Sequence, residues 1–271
     1  MRLALAQLDV EPSAVAGNRT RALDAIDRAA ADGVDLVVLP ELFTVGYFAF
    51  ESYARTAEGL DGETITELQA VAADNEVAVL AGSIVEDLAA SDAAGYDVPA
   101  PDGLANTAVF IDRAGHQRAV YRKHHLFGYS SEESDRLVAG ERLPTVEFDG
   151  FTVGVTTCYD LRFPELYRRL VDDGVTLTLV PSAWPYPRVE HWQLLPRARA
   201  VENQMYVAAA NGVGEFDTAE LLGRSTVYDP WGTPVASASD ESAVVTATID
   251  PDRVDDVREE FPALADRRID R

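Results

Sequence analysis

Phe151-Thr152-Val153-Gly154-Val155-Thr156-Thr157-Cys158-Tyr159-Asp160-Leu161-Arg162-Phe163-Pro164-Glu165 is the stretch on which the fold turns. Phe151 to Thr157 reads as a strand that ends at Cys158. Pro164 then suits the first turn of a helix over Phe163 to Val171, where its missing N–H does no harm. In sheets flanked by helices, sites gather at the carboxyl ends of strands, where loops converge. Cys158 stands at such an end, and so do two other residues able to do chemistry. Glu41 follows Val37-Val38-Leu39-Pro40, and Lys123 follows Ala119-Val120-Tyr121.

Outward from that stretch, strand and helix alternate. Leu3 to Val10, Val34 to Leu39, Val77 to Val85, Val175 to Val180, Met205 to Ala210 and Val244 to Ile249 read as strands, several of them continuously apolar as in sheets buried on both faces. Asn18 to Ala31, closed by Gly33, and Val189 to Asn203, which tolerates Pro196, read as helices. So does Thr64 to Ala73, with Thr64 and Glu67 spaced as a capping box. Thr107 to Ile111 and Gln117 to Tyr121 flank Asp112-Arg113-Ala114-Gly115 as a hairpin, and another hairpin turns at Asp229-Pro230-Trp231-Gly232. Ala89 to Leu104, rich in Ala, Asp, Gly and Pro, reads as an exposed loop. Many strands with few helices suit two sheets packed face to face with helices outside. No linker divides the chain, so residues 1–271 are expected to form one domain, with about 251–271 extended or engaged in oligomer contacts.

Composition narrows the function. The chain of 271 residues carries a formal charge of −23, with its acids dispersed rather than gathered in a tail. Nucleic acids and anionic membranes are strongly disfavoured as partners and none is expected, because phosphate binding needs a basic face. Self-repulsion of this size calls for screening salt, and the near absence of lysine points the same way, towards a halophilic cytoplasm, the alternative being an ordinary acidic mesophile enzyme. The N-terminus reads as a strand rather than a signal peptide, and a single cysteine forms no intramolecular disulfide, so a cytoplasmic protein is expected. Four histidines with no ligand spacing argue against a metal site.

Of the 23 basic residues 22 are arginine, so Lys123 has resisted a replacement that reached almost everywhere else. An ammonium is a compact point charge, whereas a guanidinium is a wide fork. Cys158 is a free thiol, either a small buried hydrophobe or a nucleophile. A carboxylate, an ammonium and a thiol together form a nucleophilic unit: the acid accepts the thiol proton, and the ammonium favours thiolate and holds an oxyanion. The Tyr159 N–H, at the strand-to-helix turn, is a second oxyanion donor.

Four segments resemble the nitrilase superfamily, the carbon–nitrogen hydrolases, in its order: Leu39-Pro40-Glu41-Leu42-Phe43, Tyr121-Arg122-Lys123-His124-His125-Leu126-Phe127, Cys158 to Glu165, and Arg197-Ala198-Arg199-Ala200-Val201-Glu202-Asn203-Gln204-Met205-Tyr206-Val207. The resemblance implies an α-β-β-α sandwich, a Glu41–Lys123–Cys158 triad, and a second glutamate seven residues before a Gly-acidic pair. Gly140-Glu141 selects Glu133 over its neighbour Glu132. It further implies a thioester mechanism that needs no cofactor and no metal, and a homodimer or larger even-numbered oligomer. After the cysteine the chain is similar to the omega-amidase and deaminated-glutathione amidase branches. The expected substrate is therefore a small amide with a distal carboxylate, bound by Arg162, with Trp184 lining the pocket. Arg162 could instead pair with Asp160 or Glu165, and Trp184 could simply pack. The alternatives are an N-carbamoyl amine or amino acid amidohydrolase, a nitrilase, and a catalytically silent oligomeric scaffold.

Overall fold

The computed structural model describes residues 1–129 and 131–268. Its first half contains β1 (Arg2–Gln7), α1 (Val15–Ala31), β2 (Leu36–Val38), α2 (Tyr53–Thr56), α3 (Glu63–Asp74), β3 (Ala78–Leu80), β4 (Ile84–Asp87), α4 (Leu88–Ala93), β5 (Leu104–Ile111), β6 (Gln117–Arg122) and α5 (Glu133–Arg136). The second half contains β7 (Thr145–Phe148), β8 (Phe151–Val155), α6 (Pro164–Asp172), β9 (Leu177–Ser182), α7 (Val189–Asn203), β10 (Tyr206–Asn211), β11 (Val213–Phe216), β12 (Ala219–Leu222), β13 (Thr226–Tyr228), β14 (Pro234–Ser237), β15 (Ala243–Thr248) and α8 (Asp252–Glu260).

Two sheets result. One has the order β15-β1-β2-β3-β5-β4 with β6 on β5, and the other β14-β13-β10-β9-β8-β7. The apolar runs make sense in this frame because successive strand residues face opposite ways. In β1, Leu3 and Leu5 enter the core between the sheets, whereas Ala4 and Ala6 pack with Ala22, Ala25 and Ile26 of α1. In β10, Tyr206, Ala208 and Ala210 face the inter-sheet core, whereas Val207 and Ala209 meet Leu166 and Tyr167 of α6 and Trp192 of α7. The layers are therefore helix, sheet, sheet, helix, the sandwich that the sequence motifs imply.

The strand directions bring the site together. β2 runs parallel to β3; β5 is antiparallel to β3, and β6 is antiparallel to β5. The carboxyl ends of β2 and β6 therefore point to one edge. β8, β9 and β10 are parallel to one another in the second sheet. Glu41 N–H donates to the Ser182 carbonyl at 3.3 Å, joining that edge to the end of β9.

Several local expectations need correction. Val77 to Val85 is not one strand, for it breaks at Gly82 between β3 and β4. Gly82 has φ +33°, and a Cβ there would meet the Pro40 carbonyl oxygen at 2.0 Å. The turn that carries Glu41 presses against this glycine, and Ser83 Oγ beside it accepts the Leu42 N–H at 2.8 Å. Thr64 does not cap α3: the cap position is Gly62, and the Thr64 N–H donates to Glu58 Oε2 at 2.9 Å. The stretch read as a loop from Ala89 contains most of α4, whose Ala90 N–H is capped by Asp87 Oδ1 at 3.1 Å. Beyond residue 251 the chain is not extended but forms α8, whose Val254 and Val257 are buried. Residues 269–271 lie outside the described residues.

Candidate active site

Glu41, Lys123, Glu133 and Cys158 come together at one edge of the sandwich. Glu41 follows β2, Lys123 follows β6 directly, Glu133 opens α5, and Cys158 begins a tight turn after β8. Each is buried, Cys158 being the most accessible at 8%. Cys158 has φ +45°, a conformation that costs a non-glycine residue energy and turns the chain sharply out of the strand. Gly140 stands behind the lysine: its N–H donates to the Lys123 carbonyl at 2.9 Å, and a Cβ would meet the Arg122 carbonyl oxygen at 2.1 Å. The glycine that selects Glu133 in the sequence therefore backs Lys123 in space.

Lys123 Nζ donates to Glu41 Oε1 at 2.8 Å and to Glu133 Oε1 and Oε2 at 2.8 and 3.0 Å. Two carboxylates against one ammonium leave a net negative charge in a buried space, so their remaining lone pairs need donors. Asn106 Nδ2, in the middle of β5, donates to Glu41 Oε1 at 2.8 Å and Glu133 Oε1 at 3.1 Å. The Ala183 N–H donates to Glu41 Oε2 at 2.9 Å. Tyr47 Oη and the Phe127 N–H donate to Glu133 Oε2 at 3.0 and 2.7 Å. The Tyr47 ring also lies 5.2 Å from Lys123 Nζ. Glu132 is outside this set, exposed and paired with Arg136 at 2.7 Å.

These neighbours set the proton positions. Burial disfavours the Lys123 ammonium, but the Glu133 and Glu41 charges outweigh it and hold the group well above its usual pKa. Burial raises Glu41, Lys123 opposes the rise, and Glu133 adds to it, leaving Glu41 above the ordinary carboxylate range. Burial and the Glu41 charge push the Cys158 thiol well up, and Lys123 offsets only part of this. The ammonium does favour thiolate, as expected, but burial and Glu41 outweigh it, so the thiol is held above its usual value, beside a carboxylate made more basic by its surroundings. The Tyr159 N–H has no hydrogen-bond acceptor among the described residues.

A cavity of about 380 Å³ opens above Cys158. Tyr47, Phe48, Phe50, Phe127, Tyr159 and Trp184 supply aromatic wall, and Thr218 and Ala219, where β12 begins, also line it. Three cationic side chains line it, Lys123, Arg162 and Arg188, and no acidic residue does among those described. Arg162 pairs with neither Asp160 nor Glu165; its Nη2 donates to His191 Nδ1 at 3.1 Å, and its Cζ sits 5.0 Å from the Trp184 ring centre. Trp184 is both wall and packing, with its backbone N–H held by Asn211 Oδ1 at 2.7 Å and its Nε1 donating to the Arg188 carbonyl at 3.1 Å.

Sequence reasoning missed Asn106, Tyr47, Ala183 and Arg188. Asn106 was legible in part, as an amide beside an apolar run with no surface to face. Tyr47 lay among the aromatics from Phe43 to Phe50 without distinction, and a backbone N–H such as that of Ala183 leaves no mark in composition.

Comparison with known proteins identifies the family. The carbon-nitrogen hydrolase family model matches residues 2–259. The chain is 39% identical to a 2-oxoglutaramate amidase of Paenarthrobacter nicotinovorans over 97% of its length and 90% of that protein's. It is 35% identical to the human omega-amidase NIT2 over 99% of this chain and 95% of that one. In three dimensions it is similar to Saccharomyces cerevisiae Nit3, a member of branch 10 of the nitrilase superfamily. There the TM-score is 0.87 and the identity 30%, over 99% of this chain and 97% of the yeast chain. From its motifs, its layers and these likenesses together, the chain belongs to the carbon–nitrogen hydrolase family.

Proposed function

We propose that this enzyme is a cysteine amidohydrolase that cleaves the C–N bond of small amides bearing a carboxylate at the far end. The observation that carries the substrate class is the charge of the cavity. In a chain of 46 acidic and 23 basic residues, the lining holds no acid among the described residues and, besides Lys123, whose charge Glu41 and Glu133 offset, two arginines, Arg162 and Arg188, that no carboxylate pairs among the described residues. Such a cavity draws an anion in and disfavours a cation. The relatives' names, 2-oxoglutaramate amidase and omega-amidase, support the same reading.

The reaction follows from the proton positions. Cys158 Sγ attacks the amide carbon as its proton passes to Glu41, whose raised pKa makes it a stronger base than an ordinary carboxylate. The carbonyl oxygen becomes an oxyanion. One Lys123 N–H can bridge both Glu133 oxygens and a second serves Glu41, which frees the third to meet the oxyanion with the Tyr159 N–H. Glu41 returns the proton to the nitrogen, the C–N bond breaks, and ammonia leaves a thioester on Cys158. Water then gives a proton to Glu41 and adds to the thioester carbon. Collapse breaks the C–S bond, releases the acid, and restores the thiol. Glu133 holds Lys123 in place. Arg162 binds the distal carboxylate through the guanidinium N–H groups that do not face His191, and Trp184 forms the wall beneath it.

The test is ammonia release in high KCl from a panel of carboxylated amides, neutral amides, carbamoyl compounds and nitriles. Preference for the carboxylated amides is expected. Faster turnover of carbamoyl compounds or nitriles would overturn the substrate reading, and no turnover of any would favour a silent scaffold.

A further inference from the structure

We infer that Arg188 is a second anion-binding residue of the cavity, forming with Arg162 a two-guanidinium clamp on the substrate's distal carboxylate. The inference rests on the carboxylated-amide reading above and adds a specificity-determining residue to it. Arg188 occupies the N-cap of α7. That position favours Ser, Thr, Asp or Asn, whose side chains accept the first free N–H groups, and the helix dipole there repels a cation. Arg188 makes no capping bond, and its guanidinium has no carboxylate partner among the described residues. Arg19, Arg122 and Arg199, by contrast, are each held by a glutamate. A charge that opposes its helix, lacks a partner and lines the cavity is poorly explained by stability. A broken local rule of this kind marks function.

The contacts of Arg162 place it beside the start of α7, where Arg188 also lines the cavity. Arg162 donates to His191 Nδ1 at 3.1 Å, and His191 is three residues after Arg188, one turn along the same face. Arg162 also lies over Trp184, whose ring nitrogen donates to the Arg188 carbonyl at 3.1 Å. A carboxylate entering between them offers lone pairs to two planar forks, an arrangement that fixes orientation as well as affinity.

The test compares the parent with Arg188→Asn and Arg188→Lys on succinamate and on pentanamide, its neutral counterpart of similar length. Succinate binding by calorimetry and Tm are read in parallel. Arg188→Asn should lower the succinamate-to-pentanamide ratio of kcat/KM by about 10–100-fold, the range of a charge-assisted hydrogen bond, and weaken succinate comparably. Arg188→Lys should recover part of both. Because Asn suits an N-cap, Tm should stay at or above the parent's. An unchanged ratio and unchanged succinate affinity would overturn the clamp. So would a fall in Tm with equal losses on both amides, which marks a structural arginine. If the parent prefers succinamate and Arg188→Asn preserves that preference, the substrate reading stands without the clamp. If the parent hydrolyses neither amide yet succinate binding depends on Arg188, the clamp stands and the substrate reading falls.

Discussion

Asp160 Oδ1 accepts two hydrogen bonds from His125, one from its backbone N–H at 3.0 Å and one from ring Nδ1 at 2.7 Å. Its Oδ2 accepts from Tyr121 Oη at 2.5 Å and from the Thr157 N–H at 2.9 Å. A single buried carboxylate thus ties the segment around Lys123 to the turn that presents Cys158. The His125 ring also stacks on Phe163, with ring centres 3.6 Å apart. The link joins the end of β6 in one sheet to the turn after β8 in the other.

Asp160→Asn preserves the shape but removes the charge and replaces one acceptor oxygen with a donor. Facing four donors, it should destabilise the protein by about 3–5 kcal/mol, the range for breaking a buried charged network. It should also lower kcat by ~10-fold or more through misalignment of Lys123 and Cys158. Denaturant unfolding and ammonia release measure the two effects. Parent-like values for both would show that the site does not depend on the link.

Cys158→Ala removes the proposed nucleophile from a small, buried position and should cost little stability. Activity should fall by about 10⁴-fold or more, as when the nucleophile of a cooperating catalytic unit is lost. Single-turnover assays that include acid-quenched thioester detection check this, and ammonia release equal to the parent's would overturn the mechanism.

Lys123→Arg keeps the charge but must fit a wide fork into a space where Lys123 is 1% exposed and held by two carboxylates. Activity should fall by about 10²–10³-fold, the cost of losing an oxyanion donor. A comparably active Lys123→Arg enzyme would mean that the site does not need a compact ammonium.

The pH profile follows from the buried groups. Glu41 must be ionised to accept the Cys158 proton and is held above its usual value, so kcat/KM should decline on the acid side at a higher pH than an ordinary carboxylate gives. The Cys158 thiol and Lys123 are both raised in the folded state. Each keeps its proton in the fold at a pH where the unfolded chain has released it. Their contribution to stability is therefore present at neutral pH and lost as pH rises past the ordinary thiol and ammonium values towards the folded ones. Cys158→Ala should flatten the thiol's share of that alkaline loss, which pH-dependent unfolding would show.

With a formal charge of −23 and dispersed acids, like-charge repulsion should weaken the fold in dilute buffer. Thermal unfolding across a KCl series should give a rising Tm, since screening relieves that repulsion. A Tm that falls as KCl rises would remove the case for a salt-adapted protein.

Periodicity and turn chemistry made most strands legible, because an apolar run such as Val175 to Val180 serves two cores at once. It was less informative where a contact from far along the chain decides the local conformation. Gly82 interrupts a run that reads as one strand only because the Pro40 carbonyl lies against it. The hairpin of β11 and β12 was not foreseen either. It is pinned by the Leu222 N–H donating to the Trp184 carbonyl at 3.0 Å, a partner distant in sequence.

By itself, then, the sequence determined which side chains are scarce and where strands end: one lysine, one cysteine, and a glutamate at the close of an apolar run. Those features mark chemistry because they are local. The tertiary structure alone decided how that chemistry is tuned. Burial and charges from separate strands keep the proton on Cys158, raise Glu41, and bind Glu133 through Asn106, Tyr47 and Phe127. Desolvation and Coulomb interaction depend on distance in space, and strands from two sheets set those distances only once the layers have closed.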